Sequence, residues 1–339
     1  MLEARLYEKR DGNLVKCHLC AHGCLIEDGG RGICHVRENI GGTLYSLVYE
    51  QVLAENIDPI EKKPLYHVMP GSLSYSIATA GCNFRCGWCQ NADISAMPRD
   101  QRIIRGVRVS PDRIVEHACE AHCRSIAYTY TEPTVYFEYA YDVAERARTE
   151  GLLNVIVTNG FMSEETLEAW HPLLDAANVD LKAFSDATYR EHIGGRLQPV
   201  LDTLKRMKEY GIWVEVTTLL IPELNDSDDE LRRLTAFIAR ELGPETPWHI
   251  SRFFPAYRMA DRRPTSPDTL ERALQIGEDE GLCHIYLGNI RSGRQSTRCK
   301  QCGETVIERQ GYSAIINYAK SGACTACGTS LAGVAIGSG

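Results

Sequence analysis

No run of apolar residues in this 339-residue chain approaches the length that spans a bilayer. The opening stretch, MLEARLYEKR, lacks the apolar core of a secretory signal. Nor is there an excess of basic charge. Lys and Arg number 37 against 45 Asp and Glu, a net charge of −8, with an isoelectric point near 5.7. These absences predict a cytosolic protein without membrane association. They also oppose non-specific nucleic-acid binding, which draws on a basic face. Arg99, Arg102, Arg105, Arg108 and Arg113 do crowd one segment, where a solvated loop and helix start is expected. Apolar residues make up 44% and charged residues 24%, as in ordinary globular proteins. The length admits one large α/β domain with appendages, or two domains.

Cysteine, by contrast, is plentiful, with fourteen residues. In a reducing compartment grouped cysteines read as metal ligands rather than disulfides. Cys17, Cys20, Cys24 and Cys34 form one group, Cys82, Cys86 and Cys89 a second, and Cys299, Cys302, Cys324 and Cys327 a third. Cys119, Cys123 and Cys283 are left over and read as free buried thiols. The third group is a pair of C-x2-C knuckles, each followed by a glycine, Gly303 or Gly328. That pattern predicts a zinc ribbon, with a rubredoxin-like single iron as the alternative. The first group, C-x2-C-x3-C-x9-C, fits a structural zinc or a second iron–sulfur cluster.

Between these ends, β-rich runs alternate with helical patterns. The runs are SLSYSIATA (72–80), SIAYTYTE (125–132), NVIVTNG (154–160), NVDLKAF (178–184), IWVEVTTLL (212–220), WHISRFF (248–254) and CHIYLGN (283–289). Ser110 with Pro111, and Ser163 with acidic residues behind it, mark helix starts. Gly243 marks a helix end. Such alternation predicts a parallel sheet with helical crossovers, whose functional face lies at the C-terminal ends of the strands. Polar signatures do follow the apolar runs: the three middle cysteines, Glu132, Thr158 with Asn159, Asp180 with Lys182, Glu215 with Thr217 and Thr218, His249 with Ser251 and Arg252, and Gly288 with Asn289. They are expected to meet on one rim.

Three cysteines are one short for a tetrahedral zinc site, which Asp93 or His67 would have to complete. A [4Fe–4S] cluster held by three thiolates instead leaves one iron open. The segment CNFRCGWC, with Cys82, Cys86 and Cys89, resembles the radical S-adenosylmethionine (SAM) enzymes. The resemblance implies that SAM chelates the open iron and is cleaved by an electron from the cluster. The product is a 5′-deoxyadenosyl radical that abstracts a hydrogen atom. It further implies that Trp88 lies near the adenine and that Glu132 in TEP meets the SAM amine. Tyr130 and Thr131 stand there in place of the usual glycines. Thr158, Asn159, Thr217 and Asn289 become SAM contacts, with backbone groups of 286–289 at the adenine. DLK, with Asp180 and Lys182, and the later His249 resemble the glycyl-radical-enzyme activases. A buried ion pair and a core histidine are the plainer readings of these residues.

CHLCAHGCLIEDGGRGICHVREN, DPIEKKPLYHVMPGS, AGCNFRCGWCQN, YTYTEPT and the terminal cysteine pairs together resemble the radical SAM protein of the AmmeMemoRadiSam system. That resemblance implies Memo-type and AMMECR-type partner proteins and an electron donor such as flavodoxin or ferredoxin. The expected architecture is α/β. A partial (β/α)6 TIM-like barrel spans 71–295, a Cys-rich metal-binding segment 1–70, and a zinc-ribbon-like domain 296–339. The alternatives to hydrogen abstraction from an unassigned substrate are an activase-like protein, or a non-enzymatic scaffold or iron sensor. A sensor has no use for an acid, a lysine and a histidine at strand ends.

Overall fold

A computed structural model of the chain describes residues 1–290 and 293–337. The last two residues of the expected C-terminal unit lie outside that range. The centre is an eight-stranded sheet in sequential order. Its strands are β1 (Ala54–Pro59), β2 (Leu73–Ala78), β3 (Ser125–Tyr128), β4 (Leu153–Thr158), β5 (Ala176–Asp180), β6 (Trp213–Leu220), β7 (Trp248–Arg252) and β8 (Ile285–Gly288). β1 pairs antiparallel with β2. All later neighbours are parallel. Each β-rich run of the sequence thus supplies one parallel strand.

Six helices make the crossovers: α1 (Pro111–Glu120), α2 (Phe137–Thr149), α3 (Glu164–Trp170), α4 (Leu197–Glu209), α5 (Asp228–Phe237) and α6 (Pro267–Asp279). Six β/α units are followed by a closing strand, so the parallel strands number seven among the described residues. The expected helix starts are present. Ser110 Oγ accepts from Arg113 N and Ser163 Oγ from Thr166 N, each taking up an otherwise orphaned helical N–H. Gly243, at φ +99°, ends the helical stretch after α5.

The two sheet faces separate by residue parity, as the strand period of two requires. Ile126, Ile156, Val214, Val216 and Ile250 join the helices in the main core. On the other face, Ala127, Val155 and Ala176 pack on Ile60, Leu65 and Val68. The segment 60–68 is therefore a plug. Several of its polar groups are drawn to the sheet or the C-terminal unit. Asn178 Nδ2 donates to Pro64 O, and Arg309 Nη2 donates to Tyr66 O. Glu215 of β6 accepts from Tyr66 N (2.9 Å), His67 N (2.8 Å) and Trp213 Nε1 (3.1 Å), and lies 2.6 Å from His249 Nε2. β1 was expected in the N-terminal segment, yet it forms the sheet edge. The rest of that segment forms two small antiparallel sheets. After β8, strands β9 (Thr297–Arg298), β10 (Thr305–Gln310) and β11 (Ser313–Ile316) make a separate antiparallel sheet. Among the described residues no helix is long and apolar enough to cross a membrane.

Glu215 is fully buried. Burial disfavours its charge, but His249, His67 and the Tyr66 N–H outweigh burial and hold it down at about 2. A depressed carboxylate contributes stability that is complete above its unfolded value, near 4.5, and lost as pH falls through about 2. Replacing it with alanine leaves the plug's N–H groups unpaired in the interior. Glu215→Ala is expected to lose about 3–5 kcal/mol in urea unfolding near neutral pH. It should also flatten the acid limb of the stability curve below pH 4.5. A variant as stable as the parent would show that Glu215 does not hold the plug.

Candidate active site

A cavity of about 290 Å³ opens at the C-terminal ends of the parallel strands. Every parallel strand or the loop after it contributes to its wall. Cys82, Cys86, Trp88 and Cys89 follow β2, and Thr129 to Glu132 follow β3. Thr158 ends β4 and Asn159 follows it, Asp180 ends β5 with Lys182 two residues on, and Thr217 and Leu219 lie on β6. Ser251 comes from β7 and Asn289 follows β8. Of the residues expected on this rim, Glu215, Thr218, His249, Arg252 and Gly288 do not line the cavity.

His249 is second in β7, and Ser251, two residues on, has the same facing and does reach the cavity. His249 sits one layer deeper, buried against Glu215 and the rings of Tyr66 and Tyr286. The core-histidine reading holds, and the expected contact with SAM is corrected. Lys62, Lys63, Gln90, Asn91, Ser95, Thr129 and Leu219 line the cavity without having been anticipated. Ser251, expected on the rim, was legible from its place at the strand end. The two lysines were not, because they arrive on the plug, which has no periodic signature.

The cysteine loop starts at Gly81, whose φ is +101°. A Cβ there would stand 2.7 Å from Val36 Cγ1, so only glycine lets the loop pass the N-terminal segment. Phe84 N donates to Cys82 Sγ at 3.4 Å, and Asn159 Nδ2 approaches the same sulfur at 3.8 Å. Cys89 Sγ lies 3.2 Å from Ser95 Oγ. Burial pushes Cys82 well up, with the Glu132 charge adding to it. Burial also raises Cys86, to about 11, although Lys182 pulls it back. The three sulfurs do not converge to the 4.8 Å mutual spacing that a single ion needs. Asp93 and His67, the fourth ligands a zinc site would require, do not line the cavity. Three thiols on one wall that do not converge on a single point, with neither Asp93 nor His67 beside them, fit a cluster with an open iron rather than one tetrahedral ion.

Glu132 is buried and organises the opposite wall. Its Oε1 accepts from Thr134 N (3.1 Å), Thr134 Oγ1 (2.6 Å) and Thr158 Oγ1 (2.7 Å), and its Oε2 accepts from Asn159 N (2.8 Å). Burial raises its pKa even so, against these hydrogen bonds. Tyr130, which stands where the related segment has glycine, adopts φ +62°, the left-handed conformation that glycine takes freely. Its ring lies 4.4 Å from Lys63 Nζ. The backbone path is kept at a conformational cost, and that ring contact helps to offset it.

Asp180 and Lys182 share a facing, and Lys182 Nζ donates to Asp180 Oδ2 at 2.8 Å. Burial alone would lower the ammonium pKa, but Asp180 and Cys86 outweigh it, so Lys182 stays charged. Thr217 Oγ1 donates to Asn178 Oδ1. Asn289, at φ +59°, donates from Nδ2 to Arg252 O. Trp88 is 5% exposed, so one edge of its ring reaches the cavity.

The two flanking cysteine groups differ from each other. The Sγ atoms of Cys299, Cys302, Cys324 and Cys327 all lie within 4.8 Å of one another. Cys299 and Cys327 are 3.6 Å apart, and Cys302 and Cys324 3.7 Å. Four ligands at ~2.3 Å from one tetrahedral ion stand ~3.8 Å apart, so this group suits a single metal ion. Gly303 and Gly328 make the knuckle turns at φ +76° and +75°. Cys17, Cys20, Cys24 and Cys34 line one enclosed cavity but do not converge in this way. All fourteen cysteines are free thiols, and Cys119 and Cys283 are exposed rather than buried as expected. Their helix and strand ends simply point outward. In the arginine-rich segment, Arg99 pairs with Asp100, Arg108 with Glu50 and Arg113 with Glu116. A solvated, charge-paired face accounts for it.

The profile of the Radical SAM superfamily matches residues 76–235, from β2 into α5. An uncharacterized protein of Methanocaldococcus jannaschii is 45% identical over 334 residues, 98% of this chain and 99% of its own. The pyruvate formate-lyase 1-activating enzyme of Escherichia coli K12 is 22% identical over 214 residues, 59% of this chain and 87% of its own. Among solved structures, Streptococcus suis SuiB bound to S-adenosylmethionine superposes with a TM-score of 0.52 at 15% identity. That match covers 68% of this chain and 53% of SuiB, and at this identity the likeness speaks for the fold alone. Fold, profile and the three-thiol wall agree that this chain is an enzyme of the radical SAM superfamily.

Proposed function

We propose that the chain binds a [4Fe–4S] cluster through Cys82, Cys86 and Cys89 and cleaves SAM reductively. The cavity wall that combines these three thiols with polar residues from every parallel strand carries this reading. When bound, the cluster supplies the electron that splits the sulfonium to a 5′-deoxyadenosyl radical, which abstracts a hydrogen atom. The chain's own residues do the holding. Lys182 keeps a positive charge beside Cys86, which offsets the cost of a buried thiolate and suits the SAM carboxylate. Glu132 fixes the turn at 131–134 and the start of the loop at Asn159, and its carboxylate would meet the SAM amine. Thr158, Asn159, Asp180, Thr217 and Asn289, which line the cavity, would hold the nucleoside, with Trp88 at the adenine.

The substrate of the radical is not assigned. Resemblance over the flanking motifs supports a role in the AmmeMemoRadiSam system, with Memo-type and AMMECR-type partners. A flavodoxin or ferredoxin is the proposed electron donor, and the free thiols suit a reducing cytoplasm. An activase-like action on a protein is the second reading, favoured by relatives named as activating enzymes. The four C-terminal thiols are proposed to hold zinc, which suits a tetrahedral all-sulfur set with single-ion spacing.

Anaerobically reconstituted protein is expected to form 5′-deoxyadenosine from SAM and dithionite. Cys86→Ala should abolish that product and reduce the iron content; continued cleavage by the variant would overturn the cluster assignment. Glu132→Ala is expected to weaken SAM binding by ~1.5–3 kcal/mol, the worth of a charge-assisted hydrogen bond. Equilibrium dialysis with an unchanged Kd would remove Glu132 from the binding site. Elemental analysis should find about one zinc per chain at the C-terminal knuckles, lost in Cys299→Ser; zinc retained in that variant would place it elsewhere.

A further inference from the structure

We propose that Cys17, Cys20, Cys24 and Cys34 hold a second iron–sulfur cluster, one whose irons are all ligated by the protein. The four thiols line a single enclosed cavity together with His22, Arg37 and Val135. Zinc would draw them to the spacing seen at the C-terminal knuckles, where all four sulfurs lie within 4.8 Å of one another. No three of the N-terminal sulfurs meet that condition. Neither do Cys82, Cys86 and Cys89, so the chain carries its own standard for each kind of site. Thiolates that each bind a different iron stand farther apart than thiolates sharing one ion. This comparison rests on the cluster reading of Cys82, Cys86 and Cys89.

Arg37 supplies an independent observation. Its side chain is 1% exposed and ion-paired through Nη2 to Glu138 of α2. Its Nε and Nη1 are buried with no hydrogen-bond partner. A buried guanidinium with two idle donors is costly, and it borders the thiol cavity. Sulfides and thiolates of an anionic cluster would accept those donors and meet that charge.

The position also suits a redox group. His22 Nε2 lies 2.9 Å from Asn83 O, in the loop that carries Cys82. Ala21 N donates to Phe161 O, and the backbone of Cys34 borders Gly81. One layer of contacts separates the two thiol groups. With every iron taken by cysteine, the second cluster has no corner for SAM.

The test uses the full chain, reconstituted with iron and sulfide without oxygen. Cys82→Ala/Cys86→Ala/Cys89→Ala should still hold about four irons and four sulfides per chain. Its absorbance should be indifferent to added SAM, and the iron should vanish on further substitution of Cys24→Ala and Cys34→Ala. A triple variant without iron, carrying about two zincs per chain instead of one, overturns the proposal. The unsubstituted protein gives a second arm that does not depend on variants folding. Mössbauer spectra with isotopically enriched iron should resolve two equal cluster populations, of which SAM perturbs one. A single population wholly perturbed by SAM sinks the second site and leaves SAM cleavage standing. Absence of any iron sinks the reading of Cys82, Cys86 and Cys89 as well.

Discussion

Parallel pairing of β2 to β8 is the constraint on which the rest depends. Because the strands run one way, their C-terminal ends share a rim. Because side chains alternate, residues two apart on a strand stack in layers on the inner face. The rim layer holds the thiols, Glu132, Asp180 and Ser251. The layer beneath holds Glu215 and His249. The deepest layer is apolar and is closed by the plug at 60–68. A one-residue slip in any strand would turn its polar residues toward the helices, where they would lose every partner.

Charge is handled differently in each layer. Glu215 is buried where no solvent reaches, and it ionises only because three N–H groups and a histidine converge on it. Removing any one of them exposes the remainder to an uncompensated interior charge. At the rim, burial works on the thiols instead, holding them neutral unless positive charge arrives. Lys182 answers this at Cys86, and Arg37 faces the same task in the N-terminal cavity. Buried thiols next to fixed cations are arranged for an anionic guest that brings its own metal. At the C-terminal knuckles, where Cys299 and Cys324 are buried and Cys302 and Cys327 exposed, the four sulfurs already stand at the spacing of one ion.

Much of this was legible along the chain. The seven β-rich runs were visible from composition, and their caps at Ser110, Ser163 and Gly243 from local chemistry. The rim residues were legible because each follows an apolar run, which is where a parallel sheet opens to solvent. Sequence reading ran out where facing depends on depth. His249 looked like a rim residue because it is polar and in the right strand, yet it enters the strand two residues too early. Lys62 and Lys63 were invisible because the plug reaches the cavity by tertiary packing, with no periodicity to announce it.

The sequence by itself determined the alternation of strands and helices, the three cysteine groups, and the missing fourth thiol at Cys82, Cys86 and Cys89. These are local facts, set by backbone propensity and by how many donors lie within reach of a short loop. Only the tertiary structure decided which thiols converge and which stand apart, and that Arg37 lies buried beside four of them. It also decided that Glu215 and His249 belong to the interior rather than the rim. Spacing along a chain fixes how close two side chains are able to come. Their actual distance is fixed by packing from elements far away in sequence, and metal chemistry depends on that distance.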